Sequence, residues 1–371
     1  MKMFIITNIK GENKMKLKEG MFVQEQLPPF GIVLAGGGGA GRWQAGVLVA
    51  LAQLGVLEQA KVITGTSVGG LNAGLFALYG GTLPRDTIET GIDMGLGGRP
   101  PEPYTAAIDI WERITKNSDI YQGELNLLGK IGAGIGFLTG AESILDNSNL
   151  HKLIDSVFKD MTFKEASILF NTQIIVSALN LNTQKEEFFS SFDQRVANIK
   201  VADALKATSA IPGIFKSVPI TINGKTNWYV DGGAGANNPF ISLSKYNEAF
   251  PNNAVKKAII IFCFPDETID TWTNETPQTS NKSFKAYRDA LLGTIPAALS
   301  AQEQLAEMLI IDKVKNSDWD VMALWPEKAP CDSLDFTKTQ ILQDGYDYAT
   351  KGLGWDYKNN GYVDILDFLH R

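Results

Sequence analysis

Lys61-Val62-Ile63-Thr64-Gly65-Thr66-Ser67-Val68-Gly69-Gly70-Leu71 runs from an apolar pair through a G-x-S-x-G pentad into an alanine- and leucine-rich run that reaches Tyr79. The pattern predicts a strand, a sharp turn at Ser67 and a helix. Such a corner holds the serine Oγ clear of the backbone, and the small neighbours Gly65 and Gly69 let the two elements approach. The helix starting behind Ser67 also directs unpaired N–H groups and a partial positive charge at the hydroxyl. In isolation the pentad is a weak signal, because glycine is common and many such pentads are plain turns.

What precedes the pentad strengthens it. Gly31-Ile32-Val33-Leu34 reads as a short buried strand that enters Ala35 and the block Gly36-Gly37-Gly38-Gly39-Ala40-Gly41. Apolar residues then recur at helical spacing (Val47, Leu48, Leu51, Leu54). Strand, glycine turn, helix and strand make a βαβ unit, so the fold class is α/β with a mostly parallel sheet between helices. The glycine block has two chemical readings. Gly36-x-Gly38-x-x-Gly41 satisfies the dinucleotide-binding G-x-G-x-x-G, with Glu58 as the available acidic ribose partner. The same loop can instead offer backbone N–H groups to an oxyanion. A phosphate-binding G-x-x-x-x-G-K-[ST] signature is absent.

Downstream, helices are expected over 104–116, 149–158, 201–210 and 337–350, and paired strands over 173–179 and 187–192. Trp228-Tyr229-Val230 reads as a strand running into Asp231-Gly232-Gly233, and 257–264 as a strongly apolar strand. The glycine-rich apolar segment 129–138 is either a wall or lid of an apolar pocket or a packed loop. Residues 265–282 read as a long polar surface loop and 283–314 as mostly helical. Residues 1–29 are expected as an arm, 30–350 as the main domain, and 351–371 as a tail packing on or extending from it.

The 371 residues are 44% apolar, with 41 acidic against 34 basic side chains and a formal net charge of −7. That balance argues against nucleic-acid binding. Cys263 and Cys331 stand in unrelated contexts, which excludes a disulfide framework, C-x-x-C redox chemistry and a cysteine zinc cluster. Neither a secretory leader nor a membrane-length apolar run is found, so an intracellular, cytoplasmic location is the default expectation; secretion by a leaderless route is also compatible.

Serine acyl chemistry needs a base, and the chain has two histidines, His151 and His370. His151 sits on a probable helix face as a structural residue, and His370 is the penultimate residue. The order Ser67, Asp231, His370 formally satisfies a triad. A serine–carboxylate pair is the alternative. Aspartate, with a pKa of around 4 in water, serves as a base if it is held close to Oγ in a partly dry site with backbone donors for the oxyanion. Asp231 is the candidate, since it ends a strand and is followed by two glycines.

In these elements, and in their order, the sequence resembles the patatin-like phospholipase family. Gly36 to Gly41 is similar to the family's oxyanion loop, Gly65-Thr66-Ser67-Val68-Gly69 to its nucleophile motif, and Asp231-Gly232-Gly233 with Asn238-Pro239 to its second catalytic motif. Thr208-Ser209-Ala210-Ile211-Pro212-Gly213-Ile214-Phe215 looks like the segment before that second motif, and Leu334-Asp335-Phe336 through Gly345-Tyr346 like the helical end of many members. The resemblance implies a three-layer α/β fold and a lipid acyl hydrolase of phospholipase A or lysophospholipase type. It implies Ser67 as nucleophile, Asp231 as base, and the amides of Gly37, Gly38 and Gly39 as oxyanion donors. Gly36, Gly41, Gly65, Gly69, Gly232 and Gly233 would support the motifs. It implies neither cofactor nor metal, a phospholipid or other acyl-ester substrate, and transient contact with a membrane or micelle surface. One departure is Ala40, where the family often carries Arg or Lys; Arg42, two positions on, is then the candidate cation for a headgroup or for the loop. Two other function classes compete: a catalytically weak lipid-binding or regulatory protein of this fold, and a nucleotide-binding enzyme using the glycine loop.

Overall fold

The computed structural model describes residues 26–80, 105–123, 143, 145–169, 172–235, 237–265, 314 and 317–371. The segment 129–138, most of the arm 1–29, almost all of 265–282 and all but Val314 of 283–314 lie outside the described residues.

Among the described residues, ten strands share one sheet: β1 (Phe30–Leu34), β2 (Val62–Thr66), β3 (Gln173–Asn180), β4 (Lys185–Ser190), β5 (Val218–Ile222), β6 (Lys225–Asp231), β7 (Lys257–Ile261), β8 (Asp320–Leu324), β9 (Leu353–Asp356) and β10 (Gly361–Asp364). Their order is β10-β9-β8-β7-β1-β2-β3-β6-β5, with β4 also paired to β3. The centre, β8-β7-β1-β2-β3, is parallel throughout, and both flanks are antiparallel. The sheet is therefore mixed, with the expected parallel sheet as its core. Phe30-Gly31-Ile32-Val33-Leu34 and Lys257-Ala258-Ile259-Ile260-Ile261 are buried at every position. That is what strands covered on both faces require.

Alternate residues of these strands feed two apolar layers, as the two-residue period of a strand dictates. Ile32, Leu34, Ile259 and Ile261 face one layer, together with α1 (Gly41–Gln53), α2 (Val68–Gly80), α3 (Thr105–Arg113), α4 (Ser148–Phe158), α5 (Phe163–Leu169) and α6 (Val201–Thr208). Val33, Ala258 and Ile260 face the other, where α7 (Ser242–Ala249) contributes Leu243 and Tyr246. A further helix, α8 (Ile341–Ala349), packs closely along α1. Residues 351–371 add β9, β10 and α9 (Ile365–His370) to the sheet's far edge. They are held there by Lys257, whose Nζ donates to the carbonyls of Phe368 and Leu369 at 2.9 and 3.0 Å, and by the Arg371–Asp356 pair at 2.9 Å.

Strand β3 sets the site. β2 runs beside it up to Thr66, opposite Ser177, and then leaves the sheet at Ser67. The very next residue of β3, Ala178, is paired with Asp231 of the incoming antiparallel β6. Since β4 occupies the other edge of β3 over residues 175–180, β6 takes over the edge that β2 vacates. One strand thereby brings the end of β2 and the end of β6 head to head.

Candidate active site

Ser67 occupies the corner between β2 and α2 with φ +52°, a left-handed conformation uncommon for a residue with a side chain. Its surroundings hold it there. The Ser67 N–H donates to Thr208 Oγ1 at 2.8 Å, and both residues are buried. A Cβ on Gly65 would fall on the carbonyl of Gly69, so the strand and helix flanking the corner touch backbone to backbone. In the sequence Thr208 reads as the end of a helix and the start of the segment that leads to Asp231, with nothing to show that it accepts from the Ser67 amide. Replacing it with valine leaves the buried amide of Ser67 without an acceptor. Thr208→Val should lower the unfolding free energy by about 1–3 kcal/mol, and Thr208→Ser should recover most of that loss in a urea titration. Equal midpoints for the valine and serine variants would refute the clamp.

Asp231 is 4% exposed. Its N–H donates to the carbonyl of Ala210 at 2.9 Å, so the segment from Thr208 to Ala210 holds the backbone of both Ser67 and Asp231. Oδ1 accepts from the Gly233 N–H at 2.7 Å. Oδ2 is buried and carries no hydrogen bond of good geometry. Burial pushes the Asp231 carboxyl up to about 7, against the opposing pull of the neighbouring Ser67 hydroxyl and the Gly233 amide. Gly232 is packed directly on the Thr66 and Ser177 side chains, where Ser177 Oγ donates to Thr66 Oγ1 at 2.7 Å.

The glycine block turns over Ser67 as a short 3-10 segment, Gly38–Ala40, entered from Gly37. Gly38 needs its glycine: φ is +55° and a Cβ would coincide with the Ser333 carbonyl. Gly36 is fixed by its N–H to the Asn237 carbonyl, 3.1 Å, with the Asn237 side chain filling the space beside Ser67. Gly41 packs on Val68. Among the described residues no acceptor takes the N–H of Gly37 or Gly38. Gly39 departs from the expectation: its N–H is donated to the Ser333 carbonyl at 2.8 Å and is not open to a ligand, unlike those of Gly37 and Gly38. The acceptor comes from almost 300 residues away, and nothing local to the block announces it.

Arg42 is also corrected in part. Its side chain is 2% exposed and points into the helical layer, where Nη2 donates to the carbonyls of Trp111, at 2.9 Å, and of Ile114. The guanidinium lies 5.6 Å from the centre of the Trp111 ring. Burial pulls its pKa down to about 10. A cation in that position ties α1 to the end of α3 and cannot meet a headgroup. Beside it, Asn72 Nδ2 donates to the Gly41 carbonyl and to Gln44 Oε1, both at 2.9 Å, and Trp111 Nε1 donates to Asn72 Oδ1 at 2.9 Å. The loop is thus braced from α1, α2 and α3 together.

The competing candidates sit elsewhere. His370 is exposed on α9, beyond the edge of the sheet opposite to the one that carries β6. His151 faces Asn147 on α4, with Nε2 at 3.2 Å from Asn147 Nδ2. Glu58 lies in the 3-10 turn Leu57–Gln59 that precedes β2, whereas the glycine loop follows β1. These are opposite ends of two parallel strands, so Glu58 cannot serve a ribose bound at the loop.

Ser67 and Gly38 open onto a cavity of about 720 Å³, its mouth included. Its walls come from α2 (Leu71, Leu75), α3 (Ile110, Trp111) with Ile114 just beyond it, and α4 (Ile154, Phe158), and among the described residues its hydroxyls are those of Ser67, Ser209 and Ser333. A serine beside a buried carboxylate, free backbone amides and an apolar cavity suit attack on the carbonyl of an ester with a hydrocarbon acyl group. Among the described residues no helix is long and apolar enough to cross a membrane.

A sequence model of the family described as patatin-like phospholipase matches residues 32–244, from β1 through the elbow and Asp231 into α7. Over 155 residues the chain is 26% identical to the probable lipid hydrolase 463L of Invertebrate iridescent virus 6. That match covers 42% of this chain and 49% of the viral protein, so it spans about half the length of the curated relative. Among solved structures, VipD from Legionella pneumophila is similar with a TM-score of 0.39 at 15% identity, covering 92% of this chain and 68% of that one. The human GIVD cytosolic phospholipase A2 aligns with a TM-score of 0.38 at 11% identity, over 64% and 46% of the two chains.

Proposed function

The chain belongs to the patatin-like phospholipase family, and on that premise we propose that it is a serine acyl hydrolase of lipid esters, phospholipase A or lysophospholipase in type. Ser67 is the nucleophile and Asp231 its base. One observation carries this reading above the others: Asp231 is buried next to the Ser67 hydroxyl and keeps one carboxylate oxygen without a partner. A carboxylate so desolvated is a far stronger base than aspartate in water.

In the proposed reaction the Asp231 carboxylate takes the proton of Ser67 Oγ as it attacks the ester carbonyl. The amides of Gly37 and Gly38 stabilise the oxyanion of the tetrahedral intermediate, with the N-terminal end of α2 adding its dipole. As that intermediate collapses, protonated Asp231 gives its proton to the departing alcohol, and Ser67 is left acylated. Water, deprotonated by Asp231, then attacks the acyl-enzyme, and Asp231 returns that proton to Ser67 Oγ as the acyl–oxygen bond breaks and the fatty acid leaves. The cavity takes the acyl chain, and the headgroup side of the substrate faces solvent. Substrates of this kind reside in membranes or micelles, so the reaction includes transient contact with such a surface. No step calls for a cofactor or a metal.

The test is covalent. A fluorophosphonate should label the intact protein once, on Ser67, and a panel of phospholipids, lysophospholipids, glycerides and short soluble esters should be hydrolysed only by unlabelled protein. Labelling at another serine, or full turnover after labelling, would refute the assignment.

A further inference from the structure

We propose that the cavity beside Ser67 is a ruler for a single acyl chain of about ten carbons, closed at its far end by Phe158 and Leu75. The proposal rests on the acyl-hydrolase reading and adds to it a chain-length class and the residues that set it.

The cavity has a direction. Ser67 at the corner and Leu71 and Leu75 on α2 follow one another four residues apart, and all three line the cavity. At about 1.5 Å per residue, Leu75 lies about 12 Å along the helix from the nucleophile. The opposite wall, α4, lines the cavity from Leu150 to Phe158, again a length of about 12 Å. The two walls converge at the end remote from Ser67. Gly74, the neighbour of Leu75, lies so close to α4 that a Cβ there would stand 2.9 Å from Phe158 Cζ. Phe158 is itself only 3% exposed, and it lines the cavity with the edge of its ring against α2 at Gly74. At the Ser67 end the lining turns polar, with Ser209 and Ser333.

An extended chain of single bonds advances about 1.2 Å per bond, as the 3.3–3.6 Å rise of an extended peptide residue with its three bonds indicates. A wall of about 12 Å therefore accepts roughly ten carbons. Each methylene up to that length moves from water into an apolar slot, which raises kcat/KM by roughly threefold to fourfold. Beyond it the chain meets the Phe158 ring, and the added methylenes stay outside or displace packed side chains.

The experiment measures kcat/KM for p-nitrophenyl esters from C4 to C12, each kept below its aggregation limit, for the wild-type chain and for Phe158→Ala and Leu75→Phe. The wild type should climb by roughly threefold per methylene to about C10 and stop climbing at C12. Phe158→Ala should carry the climb through C12, raising the C12-to-C8 ratio by roughly tenfold. Leu75→Phe, which adds bulk rather than opening a core, should bring the break back to about C6. A wild-type profile that still climbs between C10 and C12, or length ratios unchanged in both variants, would overturn the ruler alone. Absence of both hydrolysis and fluorophosphonate labelling at every length would overturn the acyl-hydrolase reading and the ruler with it.

Discussion

Asp231→Asn should lower kcat/KM on a soluble ester by roughly 10³- to 10⁴-fold while leaving the chain folded. The substitution is nearly isosteric. An asparagine oxygen still accepts the Gly233 N–H that Asp231 Oδ1 accepts at 2.7 Å, and the backbone hydrogen bond to Ala210 does not involve the side chain. What disappears is the basic oxygen beside Ser67. In the wild type Asp231 must be ionised to accept a proton, and its pKa is raised to about 7 by burial. Activity should therefore rise with pH through about 7 and level off above it, and the residual rate of the variant should lack that limb. Stability should move the other way. The folded-state pKa lies above the ordinary 3.8, so the folded protein holds the Asp231 proton across the interval in which the unfolded chain has lost it. The stability linked to that proton is complete below the ordinary value and is lost as pH rises through about 7. Asparagine never ionises, so at pH 8 the variant should be the more stable protein, by at most on the order of 4 kcal/mol. Such an inverse relation between stability and activity is what a buried catalytic charge produces. Retention of more than a tenth of wild-type activity, or an unchanged acid limb in the variant, would remove Asp231 from the role of base.

Ser67→Ala should abolish turnover to the extent of roughly 10⁵-fold or more, because deleting a nucleophile removes the covalent route altogether. Fluorophosphonate labelling should vanish in the same variant. Its folding should be almost unaffected, since the backbone amide of residue 67 keeps Thr208 Oγ1 as its acceptor. Ser67→Gly separates the chemistry from the backbone conformation. It is equally inactive, yet it relieves a residue held at φ +52° and should gain about 1 kcal/mol or more in thermal or urea unfolding. A loss of only tenfold in Ser67→Ala would place the nucleophile elsewhere, Ser209 and Ser333 being the other hydroxyls on the cavity wall.

The local pieces of the site were legible because each is written in consecutive residues. Val62 to Gly70 carries the strand, the corner and the start of the helix, and the structure has β2, Ser67 and α2 in that order. The paired strands expected over 173–179 and 187–192 are β3 and β4, joined antiparallel. What escaped notice was either short or polar. Asp320-Val321-Met322-Ala323-Leu324, a parallel strand, is only five residues long and lies between polar stretches of sequence. The hairpin of β5 and β6 turns at Asn223-Gly224, both with positive φ, a dipeptide suited to such turns. The 351–371 segment alternates too weakly to declare β9 and β10. Those two strands pair because β8 offers them an edge, and pairing partners are not encoded where the strands themselves are.

By itself the sequence determined the α/β class, the glycine turn after β1, the strained serine corner and a shortage of histidine that directed attention to Asp231. All of these follow from steric and periodic rules acting over a few residues. Only the tertiary structure decided which groups meet. Asp231 reaches Ser67 because β6 replaces β2 along one edge of β3, 164 positions after Ser67 in the chain. The Gly39 N–H is taken by a carbonyl at Ser333, and the Arg42 guanidinium by the carbonyls of Trp111 and Ile114. A backbone amide or a guanidinium takes whichever acceptor the fold brings within reach, and that acceptor is chosen by packing across the chain.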